Sequence, residues 1–343
     1  MDAGLKRAAL AAAAALSLSG CYYGHLLKGQ VELLSQREPI DQLIASPTTD
    51  AALRARLQRA QDARRFASRE LKLPDNGSYT AYADLGRPYA VWNVFAAPEL
   101  SLEAHEWCYP LLGCLAYRGF YDPKRAEVEA ADLHDEGLDV SVTGVPAYST
   151  LGWFDDPLLS TMRGSEDALA GTIFHELAHQ VAFADGDTAF NESFAAFVEQ
   201  EGLQRYLAAD PALAQAAARR QQREDEFLAL MMGARSRLEA VYAGGGSDAE
   251  RRAGKLEAFE RLRQDYAALK QRWGGDGRYD GWFAGELNNA RLLPFGLYQA
   301  RVPAFAALFR QQDGDWARFY AEVKKLAKLD DEQRQSRLDE LGR

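Results

Sequence analysis

The segment His175-Glu176-Leu177-Ala178-His179, followed twelve residues later by Asn191-Glu192, constrains this chain more than any other. Two histidines four apart on a helix lie about 40° apart around its axis and so share one side. Two imidazoles on one side can grip a single metal ion, and zinc is the usual occupant. Glu176 lies between them and can reach a water held there. The neighbours Ile173, Phe174, Leu177, Ala178, Val181 and Phe183 are apolar, which predicts a helix that is otherwise buried. An unpaired carboxylate at that depth is costly, and a cation beside it removes the cost. With 5 His and 50 Asp+Glu in 343 residues, a chance match arises in roughly one such chain in a hundred.

The metal helix is expected from about Glu166 to Ala184, capped by Ser165, with Asp185-Gly186 as its break and a second helix starting near Asp187 or Thr188. Asn191 and Glu192 then fall in the first turns of that second helix, among Phe190, Phe194, Phe197 and Val198. Glu192 and Glu199 compete to be the third ligand. They are seven residues apart, about 10 Å along a helix, so both cannot ligate one ion. Loop length and the preceding Asn favour Glu192. The set His175, His179 and Glu192 leaves a fourth position for water, which marks a catalytic zinc rather than a structural one. Asp187 reads equally as an N-cap or as an acceptor that orients a ligand histidine.

The ends of the chain speak of export. Lys6 and Arg7 precede an apolar run from Ala8 to Leu18, too short to span a membrane, and then comes Leu18-Ser19-Gly20-Cys21. This pattern looks like a bacterial lipoprotein signal over residues 1–20, with Cys21 lipidated and becoming the mature N-terminus. Tyr22, rather than Asp, follows the cysteine, which by the usual sorting rule predicts the periplasmic face of the outer membrane. Loss of the signal, with Lys6, Arg7 and Asp2, shifts the formal charge from −10 to −11. A chain this acidic does not seek nucleic acid. Cys108 and Cys114 are left as an even pair around a Pro/Gly turn, and an oxidising compartment predicts a disulfide between them.

Along the mature chain, 21–343, the pattern predicts an α+β fold that is mostly helical, in one domain. A short helix ends at Pro39. A second runs from Asp50 to Leu73, with caps offered by Ser46 to Thr49. Strands are expected at Tyr89 to Ala96, Leu115 to Tyr121 and Val140 to Tyr148, and a charged helix from Asp122 to Asp135. A polar, Ala-rich stretch over about 203–273, broken by Gly244-Gly245-Gly246 and restarted by a Ser247–Glu250 capping box, predicts a long helical hairpin. Its charge pattern is that of a solvated arm, with a lid or a contact to a protein partner as the sharper reading.

Four features now stand in order: the lipobox at Cys21, Gly29-Gln30-Val31-Glu32-Leu33-Leu34, the core from His175 to Glu192, and Asn288-Asn289-Ala290-Arg291-Leu292. Together they resemble a bacterial family of predicted zinc aminopeptidases. The resemblance implies a zincin-like core of the gluzincin kind, in which a small sheet accompanies the His-Glu-x-x-His helix and a second helix gives the last ligand, often as Asn-Glu. It implies His175, His179 and Glu192 as ligands of one zinc ion, Glu176 as catalyst and a peptide as substrate. Aminopeptidases of that group hold the free amine with a Gly-x-Met-Glu-Asn segment. The corresponding stretch here, Gly144 to Gly152, has none and offers at most an edge strand for a peptide backbone.

In such a mechanism Glu176 moves the proton and a nearby donor stabilises the oxyanion. Tyr148, Tyr298 and Arg291 are the candidate donors. Asn288 and Asn289 read as helix-capping or substrate-positioning residues. His105 and His134, in polar surroundings, read as surface histidines. Two other readings compete with a peptidase of short peptides: an envelope endopeptidase, and a metal-bound scaffold lipoprotein whose working part is the hairpin.

Overall fold

Two helices joined by an eight-residue turn carry the motif, and most of the fold exists to hold them together. A computed structural model describes residues 22–109, 113–298 and 301–342, with the side chains of 297 and 298 excepted. The chain is α+β and mostly helical. Helix α1 covers residues 22–35 and α2 spans Ile40–Ala45. Helix α3, Ala51–Arg69, is capped by Asp50, whose carboxylate takes the N–H groups of Ala52 and Leu53. The Ser46–Thr49 segment expected to cap it lies one turn too early. Asp122 caps α4, Pro123–Asp135.

The strands are short. β1 (Glu38–Pro39), β2 (Ala81–Ala83) and β8 (Leu158–Leu159) form one small sheet. A second sheet is antiparallel, with β3 (Val91–Pro98) between β6 (Arg118–Phe120) and β7 (Leu138–Val145), so that β7 is an edge. The expected edge segment Gly144 to Gly152 is strand only at Gly144 and Val145. Beyond them it is a loop, held by Asp156, which accepts from the backbone N–H and hydroxyl of Thr150. Strands β4 (Trp107–Tyr109) and β5 (Gly113–Leu115) form a hairpin in which Cys108 and Cys114 face each other and are bonded.

Helix α5 runs Glu166–His179 and α6 runs Thr188–Tyr206. Ile173, Phe174 and Leu177 of α5 pack with Phe190, Phe194 and Val198 of α6, with Leu57 and Ala63 of α3, and with Phe305 and Phe319. These last two belong to α11 (Val302–Gln311) and α12 (Trp316–Ala327). Each large apolar side chain buried here contributes about 1.5–3 kcal/mol. The helices approach closely because Gly171 has no Cβ: one placed there would stand 2.8 Å from Glu199 Oε1 and 3.0 Å from Leu203. Helix α13, Asp331–Leu341, closes the C-terminal side.

The hairpin consists of α7, Pro211–Ala243, and α8, Asp248–Arg272, with the Ser247–Glu250 capping box formed. It begins later than 203, because α6 continues to Tyr206, whose ring packs edge-to-face with Phe66 and Phe174. Nor is it a bare arm. Phe227, Met231, Leu238, Phe259, Leu262 and Leu269 make a core of their own. Phe283 of α9 (Asp280–Phe283) and Leu292 of α10 (Asn289–Tyr298) complete that core. Lys255 on α8 donates to Asp139 at the start of β7 over 2.6 Å and to the carbonyl of Glu99 over 2.9 Å, which pins the hairpin to the sheet. No described helix is long and apolar enough to cross a membrane.

Candidate metal centre

Helix α5 ends at His179 rather than at Ala184, although the apolar period continues through Val181 and Phe183. The reason is Asn191. Its side chain accepts from the N–H of Ala184 and donates to the carbonyl of the same residue, closing the turn between the helices. Gly186, at φ +76°, supplies the left-handed step. Asp187 then starts α6 by accepting from the N–H of Phe190. Its other oxygen takes Arg334 Nε at 2.7 Å and Gln335 at 3.0 Å, so Asp187 is an N-cap locked to α13 and not an acceptor for a histidine.

This geometry brings His175, His179 and Glu192 together, with one donor atom from each lying within 4.8 Å of the others. Glu192 Oε2 is 3.3 Å from His175 Nε2 and 3.8 Å from His179 Nε2. Bonds of about 2.0–2.2 Å to a tetrahedral zinc imply donor–donor separations of about 3.3–3.6 Å. The two separations from Glu192 match or slightly exceed that span, and the set as a whole, within 4.8 Å, can close on such an ion. Glu199 does not join it. It lies on the other side of His175, with Oε2 3.0 Å from Nδ1. The competitor for the ligand position is thus the partner that fixes the ring of the first histidine.

The electrostatics agree with that arrangement. Burial alone would lower the pKa of His175, but its hydrogen bonds to Glu192 and Glu199 outweigh burial and hold it well above the usual imidazole value. Both carboxylates thus favour positive charge on this ring. Burial lowers His179 to about 4, so its ring is neutral near pH 7 and has a lone pair to offer. Glu192 is held below the usual carboxylate range: burial opposes this, but the two histidines prevail. Glu176 is buried, and its pKa is pushed up to about 8, by burial first and by the charges of Glu192 and Asp156 next.

The other expected site residues are placed differently. The Tyr148 hydroxyl is shared between Tyr121 at 2.7 Å and Gln30 Oε1 at 2.6 Å. Arg291 donates to the carbonyls of Glu286 and Trp282 and lies over the Trp282 ring, so its guanidinium is committed to the turn before α10. Tyr298 ends α10, and its side chain lies outside the described residues. Asn288 caps Arg291 and donates to Val140, while the buried Asn289 binds three carbonyls, those of Pro98, Glu99 and Ser101. Both asparagines are structural. One residue absent from the sequence reading is Tyr117. Burial raises its hydroxyl first and the charges of Glu192 and Glu176 raise it further, so it lies within electrostatic reach of the pair. Its hydroxyl has no hydrogen-bond partner among the described residues, and no motif in the sequence marks it.

Fold and site together define an α+β protein with a buried His2Glu cluster on two adjacent helices and a carboxylic acid beside it. Over residues 21–338 the chain matches the family model described as "Putative aminopeptidase", and it belongs to that family. No curated protein and no solved structure matches it.

Proposed function

We propose that this protein is a zinc-dependent peptidase with a zincin-like core, anchored by lipid at Cys21 in the bacterial cell envelope on the periplasmic face of the outer membrane, and that it acts as an aminopeptidase on peptides. The observation that carries the reading is the convergence of His175, His179 and Glu192 within 4.8 Å, with Glu176 buried alongside. Membership of the aminopeptidase family supports a peptidase, and the donor set supports zinc. A zinc ion held there would lower the pKa of a bound water to about 7 and polarise the scissile carbonyl.

The chain's own residues do the rest. Glu176 accepts the proton of the attacking water on a carboxylate oxygen and delivers it to the nitrogen of the departing amine. Its carboxyl, at about 8 in the metal-free site, falls toward neutrality beside a dication, so it can both take and give a proton near pH 7. Glu199 holds His175 through Nδ1 and keeps Nε2 facing Glu192. Tyr117 is the donor we assign to the developing oxyanion, since Tyr148 and Arg291 are engaged elsewhere.

A digest of free and N-acetylated peptides, read by mass spectrometry, tests the reading. Free peptides should shorten one residue at a time from the amino end, and acetylated ones should stay intact. Internal cuts in acetylated peptides would make the enzyme an endopeptidase. A zinc-loaded protein that cuts neither would remove the catalytic reading and leave a metal-binding scaffold.

A further inference from the structure

We propose that the outward face of α1 lies on a phospholipid surface and serves as a second membrane contact beside the acyl anchor. Tyr23, Leu27 and Val31 are 44%, 66% and 56% exposed. Spaced by four, they form one stripe about 12 Å long. The opposite face of the same helix is fully occupied. Tyr22 and Leu26 pack with Phe120 and Leu133, Leu33 enters the main core, and the Tyr22 hydroxyl donates to Gly119. Apart from the edge contact of Tyr23 with the Tyr22 ring, the stripe is not packed into the described core. Single exposed apolar residues need no explanation, but three aligned along one helix face do.

Chain continuity names the occupant. Cys21 stands directly before the described structure, two positions before Tyr23. No linker separates them, so acyl chains on Cys21 would bring the stripe to within about one helical turn of the lipid. The flank of the stripe is polar. A cleft of about 540 Å³ beside it is lined by Lys28, Arg87 and Arg125, against Glu32 and Asp122. Lys28 pairs with Glu32 on the same helix and Arg87 donates to the carbonyls of Tyr121 and Ala90, so this flank is polar and close to neutral. An apolar helix face bordered by a polar one, next to a lipid anchor, is the pattern of a helix lying in the interface plane. The inference rests on the proposed anchor and adds an orientation, because a chain held at one residue swivels and a chain held along a helix does not.

The test uses the full chain, acylated and incorporated into vesicles of phosphatidylethanolamine and phosphatidylglycerol. With Cys21 acylated and Cys108 bonded to Cys114, a new cysteine is the one thiol free for labelling. Fluorophores at Leu27→Cys and Val31→Cys should be quenched by brominated acyl chains at least about threefold more than one at Arg318→Cys on α12. In the Leu27→Asp/Val31→Asp protein, a label at Tyr23→Cys should lose that quenching while zinc content and thermal midpoint stay unchanged. Protein that floats with the vesicles while these labels remain in water refutes the inference alone. Protein that fails to float refutes the anchor and the inference with it. A dimer in detergent that the double Asp variant dissolves would make a second copy the occupant, and would equally overturn the proposal.

Discussion

Glu192 and Glu199 both lie within 3.3 Å of His175, on opposite ring nitrogens, and the two positions predict different losses. Glu199→Gln keeps a side chain of the same size but removes the charge opposite Nδ1. A hydrogen bond to a charged partner is worth about 1.5–3 kcal/mol. The Glu199 side chain is 34% exposed, and solvent screening places it at the low end, about 1.5 kcal/mol. That corresponds to roughly a tenfold weaker hold on zinc, the lower limit of the 10–100-fold seen when such an outer partner is lost. Glu192→Gln removes a ligand and should leave the protein unable to retain zinc against the same competitor. Titration with a chelator of known affinity, scored by bound metal, separates the cases. If the two variants exchange behaviours, Glu199 is the ligand and the loop-length reasoning is wrong. If neither weakens binding, no ion is held between these helices.

The pH dependence of the metal-free protein follows from opposed shifts. Glu176 is raised from 4.5 to about 8, so its contribution is present below 4.5 and lost as pH rises through 8. His179 is lowered from 6.5 to about 4, so its contribution is present above 6.5 and lost as pH falls through 4. Between about 4.5 and 6.5 the two slopes cancel. From 6.5 to 8 the Glu176 slope remains, costing roughly 2 kcal/mol, and the raised His175 adds to it. Urea denaturation of chelated protein across this range should show the fall. Glu176→Gln should lessen it, and an equally steep fall in that variant would refute the assignment. Glu176→Gln should also keep zinc and lose hydrolysis, measured by metal analysis and peptide turnover, whereas His179→Ala should lose both. Asp187→Ala, which leaves the buried Arg334 without its nearest carboxylate, should destabilise by about 3–5 kcal/mol, and a thermal shift under a few degrees would contradict that. Tyr117→Phe should lower kcat by about 10²–10³ with zinc content unchanged, and full activity would return the donor role to another group.

The parts of the site legible in the sequence are those that depend on neighbours in sequence. His175, Glu176 and His179 share a turn, so their spacing alone places them. The start of α6, the α4 boundaries and the Ser247 capping box were readable because a cap is a short-range hydrogen bond. Glu199 was half legible. Seven residues make nearly two turns, so Glu192 and Glu199 had to share a face, and both could not reach one ion. Hidden was the ring between them, whose two nitrogens point apart and bind one carboxylate each. The tyrosines were not legible at all. What occupies the Tyr148 hydroxyl is Gln30, 118 positions away, and nothing local to either residue announces it.

The same distance in sequence governs how well the proposed third ligand is placed. Glu192 lies five residues into α6, so its reach depends on where that helix begins. The beginning is set by Asp187, and Asp187 is held by Arg334 and Gln335, nearly 150 residues later. On the other side, Asn191 fixes the turn from within, and the backbone at Gly113 in the disulfide-bonded hairpin lies so close to Gly186 that a Cβ there would meet its nitrogen at 3.0 Å. The turn between α5 and α6 is therefore clamped by three separate parts of the chain. A donor set of the kind proposed must close on an ion to within a few tenths of an ångström and needs that rigidity, which would account for the convergence of so much of a mostly helical fold on eight residues that themselves carry no chemistry.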